Sequence, residues 1–501
     1  MFGVISVAWP WFLSASLLAI FANEFRVRLR RWHFQREKKC KPPIKAPVRD
    51  PILGFDFVYD SLLSKVTHTC LAARQQTFRE LGSTYSVQRW SYTTVHTCDS
   101  RNIQHLLATR FSDFVLPEVR NRAIASFLGS GIFSINGHAW SRARSVLRPG
   151  FSRNTVNGSI KMMECHLATL WRRIPPCGET VDLQPLFFEL AMDVATEFLL
   201  GHSTSELQAS ALRSGNNQFV SDYLLCSEAV VKKLQLGPLQ FLVGSSESDK
   251  AKARVFAYVD KFLEEASLLK DEDSRPVYDV LRELQKMAPD HQSLRDQVLH
   301  ILLASRDTVA CLLSNLVFAL SKEPAVYQRL RREVLECAGE DCPNIEQLHS
   351  MRYLKWCVNE SLRLHPVIPT NAREAALDTT LPFGGGQDGN SPLFIRKGML
   401  VMYNVYAMHR NPKVYGDDAD RYVPERWESV RPGWDFLPFN GGPRICIGQQ
   451  FALTETYYVM ARMVQRFATI ESRDDREWQE REALAITCRH GVSVSLTRAT
   501  H

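Results

Sequence analysis

No charged side chain occurs between Met1 and Ala22, no Cys-x-x-Cys pair occurs anywhere, and no Gly/Ser-rich or charged linker or internal repeat divides the 501 residues. Each absence excludes something. Twelve cysteines scattered from Cys40 to Cys488 fit neither a zinc site nor a disulfide framework, and they suit a reducing compartment. With no linker to cut at, the chain beyond its first fifty residues reads as one large domain, although length alone suggests about three. A composition of 45 % hydrophobic and 23 % charged residues excludes disorder, collagen and coiled coil. The body also lacks net charge. Residues 1–50 hold ten basic and three acidic side chains, which is the whole of the formal +7, and the other 451 residues carry 51 of each sign. A nucleic-acid-binding domain shows its basic footprint on the folded part, so no nucleic-acid partner is expected.

What the N-terminus has instead is an apolar run long enough for a bilayer. Twenty-two residues at 1.5 Å rise cover about 30 Å, and the basic run from Arg26 to Lys41 follows directly, which marks the cytosolic side. Residues 1–25 are therefore expected to be a transmembrane anchor, despite Trp9, Pro10 and Trp11 in mid-segment. Residues 26–52 are expected to be a basic, Pro-rich linker, whose stretch from Cys40 with Pro42, Pro43, Pro47 and Pro51 acts as a semi-rigid extended spacer, and residues 53–501 the cytosolic domain. A cleaved signal peptide fits less well, because no basic stretch precedes the apolar core and no small-x-small site follows it. The sequons at Asn157 and Asn359 would matter only in a lumen.

The body reads as mainly α with small β-sheets. Periodicity is almost entirely helical from 120 to 365, with short strands before it and β structure from Thr379 to about Val405. Gly384, Gly385 and Gly386 could suggest a phosphate loop, but no GK[ST] follows and no helix opens, so a hairpin is expected. Between His291 and Glu323 there is no Gly or Pro, and apolar residues surround the pattern, so a long helix through the core is expected. Its middle is polar: Ser305-Arg306-Asp307-Thr308. Either these residues form a solvated bend, or a proton-handling site sits in a buried helix, with Thr308 bonded one turn back and the helix loosened there.

One cysteine differs from the other eleven. Cys446 stands at the entry of a helical pattern, where free amides stabilise a thiolate. Gly441, Gly442 and Gly448 allow close backbone approach, and Arg444 is a fixed cation two residues away. Phe439-x-Gly441-Gly442-x-Arg444-x-Cys446-x-Gly448 resembles the haem-binding loop of the cytochrome P450 superfamily of haem-thiolate monooxygenases. Four further motifs agree in order. Glu360-Ser-Leu-Arg363 resembles the family's ExxR helix and Pro424-Glu-Arg426-Trp its PERF-like segment. Trp140-Ser-Arg-Ala-Arg144 resembles its WxxxR helix. Ala304-Ser-Arg-Asp307-Thr308-Val resembles the oxygen-activating AGxDTT stretch, with Ser305 for the usual Gly and Val309 for the second Thr.

The resemblance implies the cytochrome P450 fold and haem b with Cys446 as axial iron ligand. It also implies cations for the propionates from Arg144, Arg373 and Arg444 beside Trp140 and Phe439, and proton delivery by Asp307 and Thr308. Glu360, Arg363 and Arg426 would be a structural lock. The implied partners are an NADPH-cytochrome P450 reductase, the endoplasmic reticulum membrane and a small lipophilic substrate. Segments such as DTTLPFGGGQDG from Asp378 and YNVYAMHR from Tyr403 resemble the fungal alkane- and fatty-acid-hydroxylating group, which implies hydroxylation of an aliphatic chain. A tailoring oxidase for a polyketide or terpenoid competes with that reading, as do a non-redox haem-thiolate isomerase or dehydratase and a non-catalytic haem carrier. By analogy the pocket should involve Phe114, Leu302, Val367 to Asn371 and Ile486 to Val492. Thr370, Asn371, Arg489 and His490 could bind substrate but are more simply surface and turn residues. Arg410, Lys413 and Arg444 are candidates for a basic patch facing the reductase.

Overall fold

The computed structural model describes residues 3–50, 52, 54–89, 92–176, 178–211, 218–268, 281, 284–285 and 290–499, without the side chains of 3–14, 153–154, 209–211, 266–268 and 482. The start of the expected anchor, with Trp9, Pro10 and Trp11, therefore lies outside the described side chains. Helix α1 (Gly3–Glu37) runs on through the basic residues that follow the apolar run. Leu17, Leu18, Ile20, Phe21 and Phe25 stand exposed along it. Its end is pinned to the body: Arg31 pairs with Asp378 at 3.0 Å and Phe34 packs on Phe394. The prolines beyond are also docked, with Lys41 N–H on Pro392 O and Gly386 N–H on Pro42 O, and strand β1 (Ile44–Lys45) joins a sheet.

That sheet is the larger of the β layers. Strands β2 (Thr84–Arg89) and β3 (Tyr92–Thr97) form its first hairpin, and β4 (Phe114–Val115) its far edge. Helix α2 (Glu118–Leu128) and helix α3 (Gly137–Leu147), which carries Trp140 and Arg144, follow on either side of a loop at 129–136. Strand β5 (Thr180–Asp182) leads into the buried helix α4 (Leu183–Leu200). Helix α5 (His291–Lys322) is the long core helix, begun by Asp290, whose side chain accepts the Ser293 amide at 2.7 Å. It is apolar enough to cross a membrane by length and composition, yet 78 % of its most apolar window is buried inside the protein, where α4 packs along it. Hydropathy alone does not separate a core helix from a span.

Helix α6 (Arg352–Leu364) carries Glu360 and Arg363 and leads to β6 (Thr370–Ala375). The Gly-rich turn joins β7 (Thr379–Gly385) to β8 (Ser391–Ile395) as the expected hairpin, and β9 (Leu400–Asn404) follows. The six-stranded order is β1-β2-β3-β9-β6-β4, with β6 antiparallel to β9 in the register Asn371 to Tyr403 and Arg373 to Val401. Helix α7 (Gln449–Arg466) then crosses the core, and short strands close the chain. None of the described cysteines forms a disulfide.

One buried acid in α7 has a measurable consequence. Glu455 is 1 % exposed, its Oε1 has no partner among the described residues, and burial alone pushes its carboxyl up to about 8. The folded chain keeps a proton there that an unfolded chain releases above about pH 4.3. Stability from this group is therefore full below that value and is lost as the pH rises toward 8. Glu455→Gln is expected to melt increasingly above the wild type as the pH is raised across that window, by an amount on the order of a few kcal/mol. Thermal unfolding at a series of pH values checks it, and a difference independent of pH would refute the assignment.

Candidate functional site

A cavity of about 340 Å³ lies between α5, α3, β6 and the loop before α7. A larger hollow of about 460 Å³, walled by Asn157, His349, Gln450 and others, is lined by neither cysteine nor arginine. The first collects the residues singled out from the sequence: Trp140, Arg144, Asp307, Thr308, Arg373, Phe439, Arg444 and Cys446 all line it.

Cys446 sits three residues before α7, with its amide donating to Phe439 O at 2.9 Å. Gly442 makes this turn possible: its φ is +67°, and a Cβ there would stand 1.9 Å from Leu107 O, a backbone atom that cannot rotate away. Protein surrounds the thiol, yet the residue retains open surface, because that surface faces the cavity. Burial pushes the thiol up, while a Gly448 backbone hydrogen bond and the Arg144 charge pull it down. Coordination to a metal would tip that balance, since a ligating thiol is deprotonated outright.

Four guanidinium groups share the cavity wall, one more than the sequence motifs indicate. Arg120, on α2, donates to Phe133 O at 2.5 Å and is held down to about 10 by burial and by Arg373. Arg444 donates to Ile135 O at 2.9 Å and Asn136 Oδ1 at 3.1 Å, and is held down to about 9 by burial and by Arg373, Arg120 and Arg144. Among the described residues none of the four pairs with a carboxylate. Like charges gathered on one cavity wall, with Arg373 buried, are costly unless an anion joins them, so the arrangement suits an anionic group. A thiol sharing one cavity with four such cations fits haem b with its two propionates. It is also Arg444, not Arg144, that stacks on Trp140, 4.3 Å from the ring centre.

Across the cavity, α5 is unbroken through Ser305 to Thr308, so the expected loosening does not occur. Thr308 Oγ1 does donate one turn back to Ala304 O at 2.6 Å, and Ser305 Oγ to Ile301 O at 2.9 Å, but the backbone ladder holds beside both. Nor are these residues a solvated bend. Arg306 is 7 % exposed, lies over Phe188 of α4, and donates to Asp307 Oδ1 at 2.5 Å. Burial pushes the Asp307 carboxyl up and Arg306 pulls it down.

The same helix ties down the loop at 129–136. Ser130 N–H donates to Asp296 Oδ2 at 2.7 Å, Ile132 N–H to Gln297 Oε1 at 3.3 Å and Phe133 N–H to His300 Nδ1 at 3.1 Å. Gly131 fits only without a side chain, since a Cβ would stand 2.5 Å from the His300 ring. Carbonyls of this loop accept from Arg120 and Arg444, so α5 indirectly positions two of the four cations. Nothing in the motif spacing points to Arg120, Asp296, Gln297 or His300, whose partners are distant in sequence.

Glu360, Arg363 and Arg426 meet in the core rather than in the cavity, with side chains 0 %, 0 % and 6 % exposed. Several expected positions move. Phe114 and Leu302 are buried elsewhere, and Leu484 and Ala485 line the cavity in place of 486–492. Arg489 and His490 bond Gln479, and Thr370 accepts from Arg74, while Val367, Ile368 and Asn371 do line the cavity. The proposed basic patch does not form from its three candidates: Arg444 faces the cavity, and Arg410 is 6 % exposed, lying 3.6 Å over Tyr406 and paired with Asp420. Only Lys413 of the three is exposed.

A family model described as Cytochrome P450 matches residues 55–491. The chain is 38 % identical to Cytochrome P450 monooxygenase himC of Aspergillus japonicus over 99 % of this chain and 91 % of that one. It is 37 % identical to Cytochrome P450 monooxygenase fsdH of Fusarium heterosporum over 98 % and 87 %. Cytochrome P450 52A13 of Debaryomyces hansenii is 41 % identical over 80 % and 81 %. With its cysteine, its arginine cluster and its core helix arranged around one cavity, and with that match across nearly its whole length, the chain belongs to the cytochrome P450 family of monooxygenases.

Proposed function

We propose that this protein is a membrane-anchored haem-thiolate monooxygenase that inserts one oxygen atom from dioxygen into an aliphatic C–H bond of a lipophilic, chain-bearing substrate. The carrying observation is the cavity itself, where Cys446 and four carboxylate-free arginines share an otherwise largely aliphatic wall with Asp307 and Thr308. Cys446 Sγ would be the iron ligand, and Arg120, Arg144, Arg373 and Arg444, with the Trp140 indole N–H, would hold the propionates. Bound haem supplies dioxygen activation, with electrons from NADPH through a reductase.

The chain supplies the rest. Asp307 Oδ1 is gripped by Arg306, which leaves Oδ2 as the atom that delivers a proton toward the cavity, and Thr308 Oγ1 is the hydroxyl beside it. Ile301, Leu303, Ala304 and Val309 orient an alkyl chain along α5 and exclude water from it. The exposed apolar residues of α1 support anchoring in the endoplasmic reticulum membrane with the body in the cytosol. Ser305 stands in the wall where the family pattern has Gly, which favours as a second reading an alkyl-bearing natural product rather than a plain fatty chain.

Microsomes containing the chain and a reductase, fed fatty acids, alkanes and host extract under oxygen-18, test this by mass spectrometry. A hydroxylated chain carrying the label is expected. An oxidised host metabolite beside untouched fatty acids would sink the fatty-chain reading. An unlabelled isomerised or dehydrated product would sink the monooxygenase reading of the chemistry.

A further inference from the structure

Beyond the apolar run, helix α1 has two unlike long sides. Val27, Arg31 and Phe34, spaced i, i+4, i+7, are half-buried, and this side meets the body through the Arg31–Asp378 pair and the Phe34–Phe394 contact. On the opposite side stand Phe25, Leu29 and Trp32, at the same spacing and 66, 45 and 47 % exposed. At about 3.6 residues per turn, this stripe continues the line of exposed Leu18 and Phe21 without a break. Arg36 ends it, with its guanidinium 4.3 Å from the centre of the Trp32 ring. Arg28 borders the stripe on one edge, and Arg26 and Arg30 lie on the other flank of the helix, all three exposed. Glu24 comes within 4.0 Å of Arg28, whereas Arg26 and Arg30 have no carboxylate partner among the described residues.

A helix side that is apolar along its middle and cationic along its edges suits a bilayer surface, with tryptophan at the level of the headgroups. Because the stripe runs unbroken into the segment that meets acyl chains, the same surroundings continue along it. The cations add a preference of sign, since basic residues just cytosolic of a span attract anionic lipids. We infer that this side of α1 binds anionic lipid headgroups. Phe25, Leu29 and Trp32 enter the headgroup layer, and Arg26, Arg28 and Arg30 meet its negative groups. The inference rests on the reading of α1 as a membrane anchor and adds to it a choice of lipid. Since the other side of the same helix grips the body at Asp378 and Phe394, headgroups and catalytic domain hold one helix between them.

The test places the full chain in phosphatidylcholine vesicles containing spin-labelled phosphatidylserine or spin-labelled phosphatidylcholine. Electron paramagnetic resonance then reads how much of each probe the protein restricts. Retention of the thiolate-type band in the reduced carbon monoxide complex shows that each variant is folded around its haem. The wild type is expected to favour the serine lipid by about fivefold, the effect of one cation beside an anionic surface. The combined variant Arg26→Gln, Arg28→Gln, Arg30→Gln should bring the two probes to parity. Arg→Lys at the same three positions should keep the preference, because charge and not side-chain shape carries it. Leu29→Glu, which sets an acid in the middle of the stripe, should cut it. Equal restriction of both probes by the wild type, or a preference that survives the Gln variant, overturns the inference alone. A wild type that restricts neither probe and forms dimers in the vesicles gives the stripe to a second copy and also overturns it. A chain that alkaline carbonate washes off the vesicles overturns the anchor reading and this inference with it.

Discussion

Cys446→Ala is expected to abolish the red-shifted band of the reduced carbon monoxide complex and to reduce turnover to background, while leaving the fold in place. The two halves of this expectation have separate causes. The side chain opens into the cavity rather than packing in the core, so its truncation creates no new void among apolar neighbours and should change stability little. No other sulfur lines the wall among the described residues, so no substitute ligand stands within the cavity. Cys446→His separates the two roles further: an imidazole can retain iron, but without the thiolate that gives the band its position. Buried Cys311 on the core helix is the internal control, and its replacement by Ala should leave the band where it is. A red-shifted band that survives Cys446→Ala would remove the haem-thiolate assignment altogether.

How much of this was legible in the sequence follows the physical range of each interaction. The Glu360 and Arg363 pair is local, fixed by three residues of helix, and its apolar neighbours announce burial. The long helix is equally local, since an uninterrupted run without Gly or Pro is enough to predict it. The hairpin at Gly384 to Gly386 is local too. Arg120 and His300 are not: each acts on the loop at 129–136 through contacts that only the tertiary fold brings together, and both look ordinary in their own helices. Arg410 shows the opposite failure. An arginine beside Asn-Pro reads as surface, and only the structure supplies the Tyr406 ring and Asp420 that let it be buried. Asn371 read as a turn residue because strand β6, which points it into the cavity, pairs with β9 in a register no local pattern sets.

Glu360→Gln is expected to prevent accumulation of folded, haem-bearing protein, an effect on the order of 3–5 kcal/mol or more. Glu360 accepts five hydrogen bonds: Oε1 from Arg363 Nη2 at 2.8 Å, Arg426 Nε at 2.8 Å and Val423 N at 2.9 Å, and Oε2 from Arg363 Nε at 2.9 Å and Trp427 Nε1 at 3.0 Å. An amide of the same shape puts two donors where donors already point and leaves buried Arg363 without its counter-ion, while Arg426 keeps only Asp418, at 3.0 Å. That loss is a large part of the ~5–15 kcal/mol that holds a typical domain together. A simple buried ion pair can often be exchanged for apolar residues at no cost, but this one resists the exchange. Arg363 also donates to His409 O at 2.9 Å, Ala419 O at 2.5 Å and Arg421 O at 3.0 Å, and Arg426 to Tyr415 O at 2.6 Å. These carbonyls belong to the segment that follows β9, so the arginines satisfy its buried backbone as well as the carboxylate. The double variant Glu360→Leu with Arg363→Met removes both charges of the pair and still orphans three carbonyls and the Glu360-bound donors of Arg426, Val423 and Trp427. It should therefore recover only a minor part of the loss, read as haem-bearing yield and melting temperature. Full recovery in the double variant would show that charge balance alone holds this region, and that the carbonyl bonds contribute nothing.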